Sequence, residues 1–364
     1  MNTARTWTFE EALERTHRSR RQVLLGNGFS TAAHKAFRYD GILKAAEIDQ
    51  RVRDIFTKAG TSNFEAAMTQ LLARAQADPA LTTSALSDIE ELKAGLIRAL
   101  RAVHPERPAD LSGKYEHCEK FLAHFIGRRR PEKGRIYTTN YDLLLYWTVA
   151  REGGPDRVGP TNKLFYADDG FRLDWATKRP VPAFPYQQDG CAKNAQIVYL
   201  HGALHLYGAG ESVVKLSYAD TGDALCDQIS ARLDAGQFPI FVTEGSSELK
   251  KHAMTRRPGR EGYNRYLTDA FKTFAASSKV KPGFDASLFT VGHGMGIEDD
   301  HLIDTIVEGS LPLLCLGAYT PAEADSFKAK GEMLTRRRAE LAGKPPLEVL
   351  VFDTSDINIW GPPT

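Results

Sequence analysis

No apolar run in this 364-residue chain is long enough to cross a bilayer. The longest, such as Ser287–Val291 and Leu311–Ala318, fall far short of the ~20 residues a helical span needs, and the polar N-terminus lacks the apolar region of a signal peptide. The chain therefore reads as soluble and cytoplasmic, with no membrane partner. Net charge is equally scarce: 47 Lys and Arg against 46 Asp and Glu leave +1, so no global field draws in nucleic acid, and direct nucleic-acid binding is not expected. The clusters Arg18–Arg21, Arg128–Arg130 and Arg336–Arg338 are most simply charged helix ends. Cysteine is sparse. Cys118, Cys191, Cys226 and Cys315 lie at least 35 residues apart with no Cys-x-x-Cys, which gives no warrant for a structural zinc site or a disulfide framework and favours reduced, buried thiols. Internal repeats and low-complexity segments are missing, and 42% hydrophobic with 26% charged residues excludes disorder, collagen and coiled coil.

What is present alternates between strand and helix patterns. Phe9 and Leu13 mark a short N-terminal helix. Gln22–Leu25 is a compact apolar strand running into Gly26-Asn27-Gly28-Phe29-Ser30, a glycine turn opening a helix. From about Ile42 to Phe125 the pattern is mostly helical. Leu86, Ile89, Leu92, Leu96, Ile97, Leu100 and Val103 recur at three-to-four spacing behind a candidate capping box at Ser87 and Glu90, and Tyr115, Cys118, Leu122 and Phe125 repeat the period. Arg135–Thr139 and Gln196–Leu200 read as strands ending in Asn140-Tyr141-Asp142 and His201-Gly202. Between them, residues 151–195 form a Gly, Pro and Asp-rich excursion. Further strands are expected at Pro239–Val242, Ser287–Val291, Leu311–Leu316 and Leu347–Phe352. Helices are expected around Tyr263–Phe274 and Asp299–Val307, and a charged one between the last two strands; a basic stretch covers Lys250–Arg260. This alternation predicts an α/β fold with a doubly wound, mostly parallel sheet.

In such a sheet ligands collect beyond the carboxyl ends of the strands, and four polar loops sit there: Gly26–Ser30, Asn140–Asp142, His201-Gly202 and Gly292–Asp300. Each admits a plain reading beside a functional one. Gly26-x-Gly28-x-Ser30 lacks the third glycine of the dinucleotide fingerprint; it is a tight turn or a backbone that lets a pyrophosphate approach. Asn140 and Asp142 cap a helix, or Asn140 offers a donor and an acceptor to a ribose hydroxyl or a water. His201 has a pKa range suited to a general base. His205, four residues on, has no third ligand beside it in the sequence, so no metal is assigned. Gly292-His293-Gly294-Met295-Gly296 leads to Glu298, Asp299 and Asp300. These acids complement a helix dipole or reach ribose hydroxyls.

Taken together and in order, the four segments resemble the sirtuin-like (SIR2-like) superfamily, within it the bacterial branch called domain of unknown function 4917. Leu24-Leu25-Gly26-Asn27-Gly28-Phe29-Ser30 is similar to the Gly-Ala-Gly-x-Ser loop, with Asn27 in place of alanine. Thr138-Thr139-Asn140-Tyr141-Asp142 resembles Thr-Gln-Asn-x-Asp in its Thr-Thr-Asn-Tyr-Asp form. Leu200-His201-Gly202 matches the His-Gly that carries the catalytic histidine, and Val291–Met295 resembles Val-Gly-Tyr-Ser-Leu. The resemblance implies one Rossmann-like NAD-binding domain over residues 1–364, with residues 42–130 as a helical insertion in place of the zinc module of deacylases. The paired cysteines of that module are lacking, which moves the expectation from deacylation towards NAD cleavage.

By the same resemblance Asn140 holds the nucleophilic water or the nicotinamide ribose, Asp142 orients that loop and His201 accepts the proton. Gly26, Asn27, Gly28, Phe29, Ser30 and Thr139 would bind the diphosphate side of NAD, and Gly292, Gly294, Asp299 and Asp300 the adenosine side. The expected activity is NAD+ hydrolysis to nicotinamide and ADP-ribose by an antiphage-defence effector, held in check by a partner protein or by homo-oligomer assembly. The alternatives are a non-catalytic sensor of NAD or an ADP-ribose derivative and, with less support, a deacylase or ADP-ribosyltransferase.

Overall fold

The computed structural model describes residues 5–126, 134–150, 169–173, 180–182, 196–209, 212–217, 222–243, 246–260 and 264–361. Seven described strands form one wholly parallel sheet. Its spatial order is β1 (Thr6–Trp7), β12 (Glu348–Asp353), β11 (Leu313–Ala318), β10 (Ala286–Val291), β2 (Arg20–Leu25), β3 (Ile136–Thr138), β6 (Ile197–Tyr199). The inner strands are buried apolar runs, as a sheet covered on both faces requires. The arrangement is α/β, doubly wound and Rossmann-like. From β2 the chain steps outward through β3 and β6, then returns to the opposite side of β2 with β10. That reversal makes a topological switch point between β2 and β10, where the loops after the two strands part.

Helices cover the sheet and build a second layer. Tyr115–Ile126 packs on β2 and β3, and Pro321–Ala339 on β11 and β12. Helices Tyr39–Ala45, Gln50–Ala59, Phe64–Ala77 and Thr82–Val103 pack on one another within the stretch expected to be helical. The apolar stripe of the last is buried at Ile89, Leu92, Leu96, Ile97 and Leu100, but Leu86 is exposed. Its capping box is not at Ser87, which lies inside the helix. A 3₁₀ turn at Pro79–Leu81, started by Asp78 accepting from Ala80 N at 3.0 Å, begins the helix a turn earlier.

Three features depart from the sequence reading. His201 leads straight into β7 (Gly202–Ala209), which pairs antiparallel with β8 (Ser212–Lys215) and β9 (Pro239–Phe241) in a separate sheet, so the strand expected at Pro239 does not join the main one. Gly202 makes that turn at φ +84°, and a Cβ there would sit 1.8 Å from the Ile240 carbonyl oxygen. The basic stretch contains helix Ser247–Thr255, with Lys250 fully buried. Arg338 is not a solvated helix end either. It is buried and donates to the carbonyls of Ile306 and Val307, which close helix Asp300–Glu308.

Arg128–Arg130 and Cys191 lie outside the described residues, as does most of the 151–195 excursion. Its described part pairs β4 (Phe171–Leu173) with β5 (Pro180–Pro182). Cys118, Cys226 and Cys315 are buried thiols outside any disulfide. No described helix is long and apolar enough to cross a membrane.

Candidate functional site

The loops after β2 and β10 are locked together by backbone. Gly26 N donates to Val291 O at 3.0 Å, and Gly28 N to Gly292 O at 2.8 Å. A Cβ on Gly28 would lie 2.6 Å from Gly292 Cα, and Gly292 itself adopts φ +62°. Glycine is needed at both for one loop to lie on the other. Gly26 caps the helix Asn27–Ala33, and Asn27 Nδ2 holds the following turn through Phe37 O at 3.1 Å.

The loop after β3 is tied to the same place by side chains. Asn140 donates its amide to Gly26 O at 2.9 Å and to Ser30 Oγ at 2.8 Å. Ser30 in turn donates to Asp142 Oδ2 at 2.5 Å, and Asp142 Oδ1 accepts from Leu144 N at 2.9 Å, starting helix Leu144–Ala150. Asp142 is thus both helix cap and loop clamp. Burial raises its carboxyl above the usual range, opposed by the Ser30 and backbone donors. With both amide hydrogens of Asn140 turned inward, its carbonyl is the part left for a ligand.

Around Asp299, at the end of the 3₁₀ turn Ile297–Asp299, stand three histidines and a lysine. Lys250 Nζ lies 3.0 Å from Asp299 Oδ1 and 2.7 Å from Glu65 Oε2, while Tyr141 Oη approaches Glu65 Oε1 at 3.0 Å. Burial opposes the charge on Lys250, but the two carboxylates outweigh it and raise its pKa. Burial also opposes ionisation of Asp299, yet His293, Lys250 and His201 hold that carboxyl well below its usual range. His201 Nε2 lies 3.4 Å from His301 Nε2 and 3.8 Å from Asp299 Oδ1. Burial, reinforced by Lys250, pushes His201 well below an ordinary histidine, and burial pushes His301 down to about 3. Both are neutral imidazoles near pH 7. His293 Nε2 comes within 3.2 Å of Asp299 Oδ2 without the alignment of a hydrogen bond.

A cavity of about 370 Å³ opens between these loops and the helical layer. Of the residues marked from the sequence, Gly26, Asn27, Thr139, Asn140, Asp142, His201, Gly292, Gly294 and Asp299 all line it. Gly28, Phe29, Ser30 and Asp300 do not. Phe29 is core, packed 5.0 Å from the ring of Trp360, and Ser30 stands behind Asn140. Asp300 is half-buried at the start of helix Asp300–Glu308, its carboxyl raised by burial and by Asp304. Phe37 and, from the helical stretch, Ile42, Phe64, Leu96 and Leu100 add apolar lining.

Sequence reasoning missed Glu65, Lys250 and His301, which sit on amphipathic helices where a buried charge looks like any other polar position. His201 and Asp299 form with His301 a group whose ligand atoms fall within 4.8 Å. Lys250 already supplies a cation 3.0 Å from Asp299, and a divalent ion beside it would face strong repulsion, so no metal is assigned. His205 belongs to neither set. Its ring lies 4.4 Å from that of Tyr146 and 5.1 Å from that of Tyr199.

No curated protein matches the chain. A family model described as Domain of unknown function (DUF4917) matches residues 23–360, which span β2 to Trp360 and every loop of the cavity, and the chain belongs to that family.

Proposed function

We propose that the protein is an NAD+ hydrolase of the SIR2-like type, releasing nicotinamide and ADP-ribose. The observation that carries the reading is the convergence of Asn140, His201 and Asp299, from three separate strand ends, on one cavity at the switch point of the sheet. The motif resemblance supplies the substrate, and the chemistry of the groups agrees with it. Cleaving the bond between nicotinamide and ribose C1′ sends its electron pair to the ring nitrogen, which leaves neutral and needs no acid. Positive charge then develops on the sugar. Asp299, kept ionised and 3.8 Å from His201, would stabilise that charge, a role different from the adenosine contact that the motif resemblance implied for it. The Asn140 carbonyl orients water or a ribose hydroxyl, and neutral His201 takes the proton released when water adds at C1′.

Uncontrolled NAD+ consumption harms the host, so the natural setting of this activity is an antiphage-defence effector restrained by a partner protein or by assembly. The test is incubation of purified protein with NAD+ and chromatography for nicotinamide, beside a His201→Ala control. Release by the parent and loss in the variant is the expected result. Tight NAD+ binding with no release, with candidate triggers present, would instead make the protein a sensor.

A further inference from the structure

The charges around the cavity are one-sided. Glu65, Asp142, Glu298 and Asp299 line it, and among the described residues no lysine or arginine does. Lys250, the cation beside it, is fully buried and held by Glu65 and Asp299. Two of the donors that the motif resemblance gives to a phosphate are engaged within the protein: Gly28 N–H donates to Gly292 O, and the Ser30 hydroxyl to Asp142. A doubly charged diphosphate seated here would meet these carboxylates, with no lysine or arginine among the described lining residues to offset them. A cation would meet the reverse.

The remaining features suit a nucleoside. About 370 Å³ is near the small end of the ~300–1,000 Å³ spanned by small-molecule sites. Phe37, Phe64 and Leu96 give the lining apolar surface on which a planar ring can pack, beside polar groups that a ribose can reach. His293 lines the cavity, is 4% exposed, and holds its Nε2 3.2 Å from Asp299 Oδ2 outside hydrogen-bond alignment, so the imidazole and the carboxylate present a polar edge to a ligand group such as a ribose hydroxyl.

We infer that the cavity recognises a cationic pyridinium N-riboside as its whole ligand, so that nicotinamide riboside is bound and cleaved without the diphosphate and adenosine of NAD+. This rests on the N-glycoside cleavage proposed above and narrows its substrate. Atoms balance as before. The C1′–N bond breaks with its electrons going to the pyridine nitrogen, water forms the new C1′–O bond, and its proton passes to His201.

The experiment offers NAD+ and nicotinamide riboside separately to the full chain and follows nicotinamide release, while calorimetry on the His201→Ala protein compares binding of nicotinamide riboside with nicotinic acid riboside, whose carboxylate cancels the ring charge. The expected result is kcat/KM for nicotinamide riboside at least equal to that for NAD+, with nicotinic acid riboside binding roughly tenfold more weakly or worse. Glu298→Gln is expected to narrow that gap. Release from NAD+ with none from nicotinamide riboside overturns the inference and leaves the hydrolase reading standing. Binding of nicotinamide riboside with no nicotinamide released from it or from NAD+ supports the recognition and defeats the hydrolase reading. Nicotinamide riboside left unbound, with no release from NAD+, defeats both.

Discussion

Asn140 donates to Ser30 Oγ at 2.8 Å, so the residue expected to face the substrate is aimed by a serine that does not line the cavity. Ser30→Ala removes that aim and also leaves Asp142 without its hydroxyl donor. We expect a loss of about 1–3 kcal/mol in stability and a fall in NAD+ turnover of roughly tenfold or more, since a buried acceptor goes unsatisfied while a ligand-facing group loosens. Asn140→Ala should cost similar stability but abolish turnover. Urea denaturation and nicotinamide release on both variants check this. Equal activity in Ser30→Ala and the parent would remove the positioning role.

Lys250 is the most exposed point of failure in the charge network although it is the least exposed side chain. Lys250→Met strands Glu65 and Asp299 as buried carboxyls, and we expect roughly 3–5 kcal/mol of destabilisation. The double variant with Glu65→Gln should lose less than the sum of the two single changes, because the groups are in direct contact. Additive losses in denaturant midpoints would mean that they act separately.

The pH dependence of stability follows from the buried histidines. His104 is satisfied on both nitrogens, Nδ1 to Pro105 O at 2.8 Å and Nε2 from Leu143 N at 3.0 Å, and burial pushes it down to about 4. His301 falls to about 3. Below an unfolded histidine's ~6.5, the unfolded chain binds protons that the folded chain does not, so stability is fully present above ~6.5 and is lost as pH falls, by up to about 1.4 kcal/mol per unit for each histidine. Asp299, depressed when folded, adds a loss in the same direction at lower pH. Denaturation midpoints at pH 7 and 5 measure the slope, and His104→Gln should flatten it. A midpoint that rises on acidification contradicts the assignment.

His201 is held neutral far below pH 6.5, so its service as a base is not lost on mild acidification. The expected kcat/KM profile for nicotinamide release is flat from pH 6 to 8. An acid limb near 6.5 would show that His201 titrates as an ordinary, solvated histidine.

Gly292→Ala tests the backbone lock between the two glycine loops. At φ +62° and with a Cβ 2.5 Å from Phe29 N, the variant must part the loops or strain the turn. We expect at least about 1–3 kcal/mol of lost stability together with lost activity. Gly294→Ala, which meets nothing within 4 Å, should retain stability. The pair of denaturation curves separates close packing from general loop sensitivity.

The strands of the parallel sheet announce themselves because each is a short apolar run ended by polar or glycine residues, and Gln22–Leu25 and Ser287–Val291 show this plainly. Loops at strand ends are legible for the same reason, and Asn140, His201 and Asp299 from three of them line one cavity. What stayed hidden is what depends on distant partners. Nothing local to Lys250, within Ser-Glu-Leu-Lys-Lys-His, tells that its ammonium is enclosed between Glu65 and Asp299. Nor does Arg338, one of three adjacent arginines, differ in sequence from its solvated neighbours. The strand after His201 was obscured because β7 alternates poorly, being buried over most of its length.

The position of β2 has a consequence for synthesis. One of its sides is paired by β3, but the strand that pairs the other, Ala286–Val291, is made only after the helical layer and the antiparallel sheet. While the ribosome is still producing the helical layer and the antiparallel sheet, the emerging protein carries a bare hydrophobic strand edge in what will become its centre, a template for wrong pairing with a neighbour on the same message. The protein's dependence on chaperones should therefore be greatest before residue 291 emerges and fall sharply afterwards.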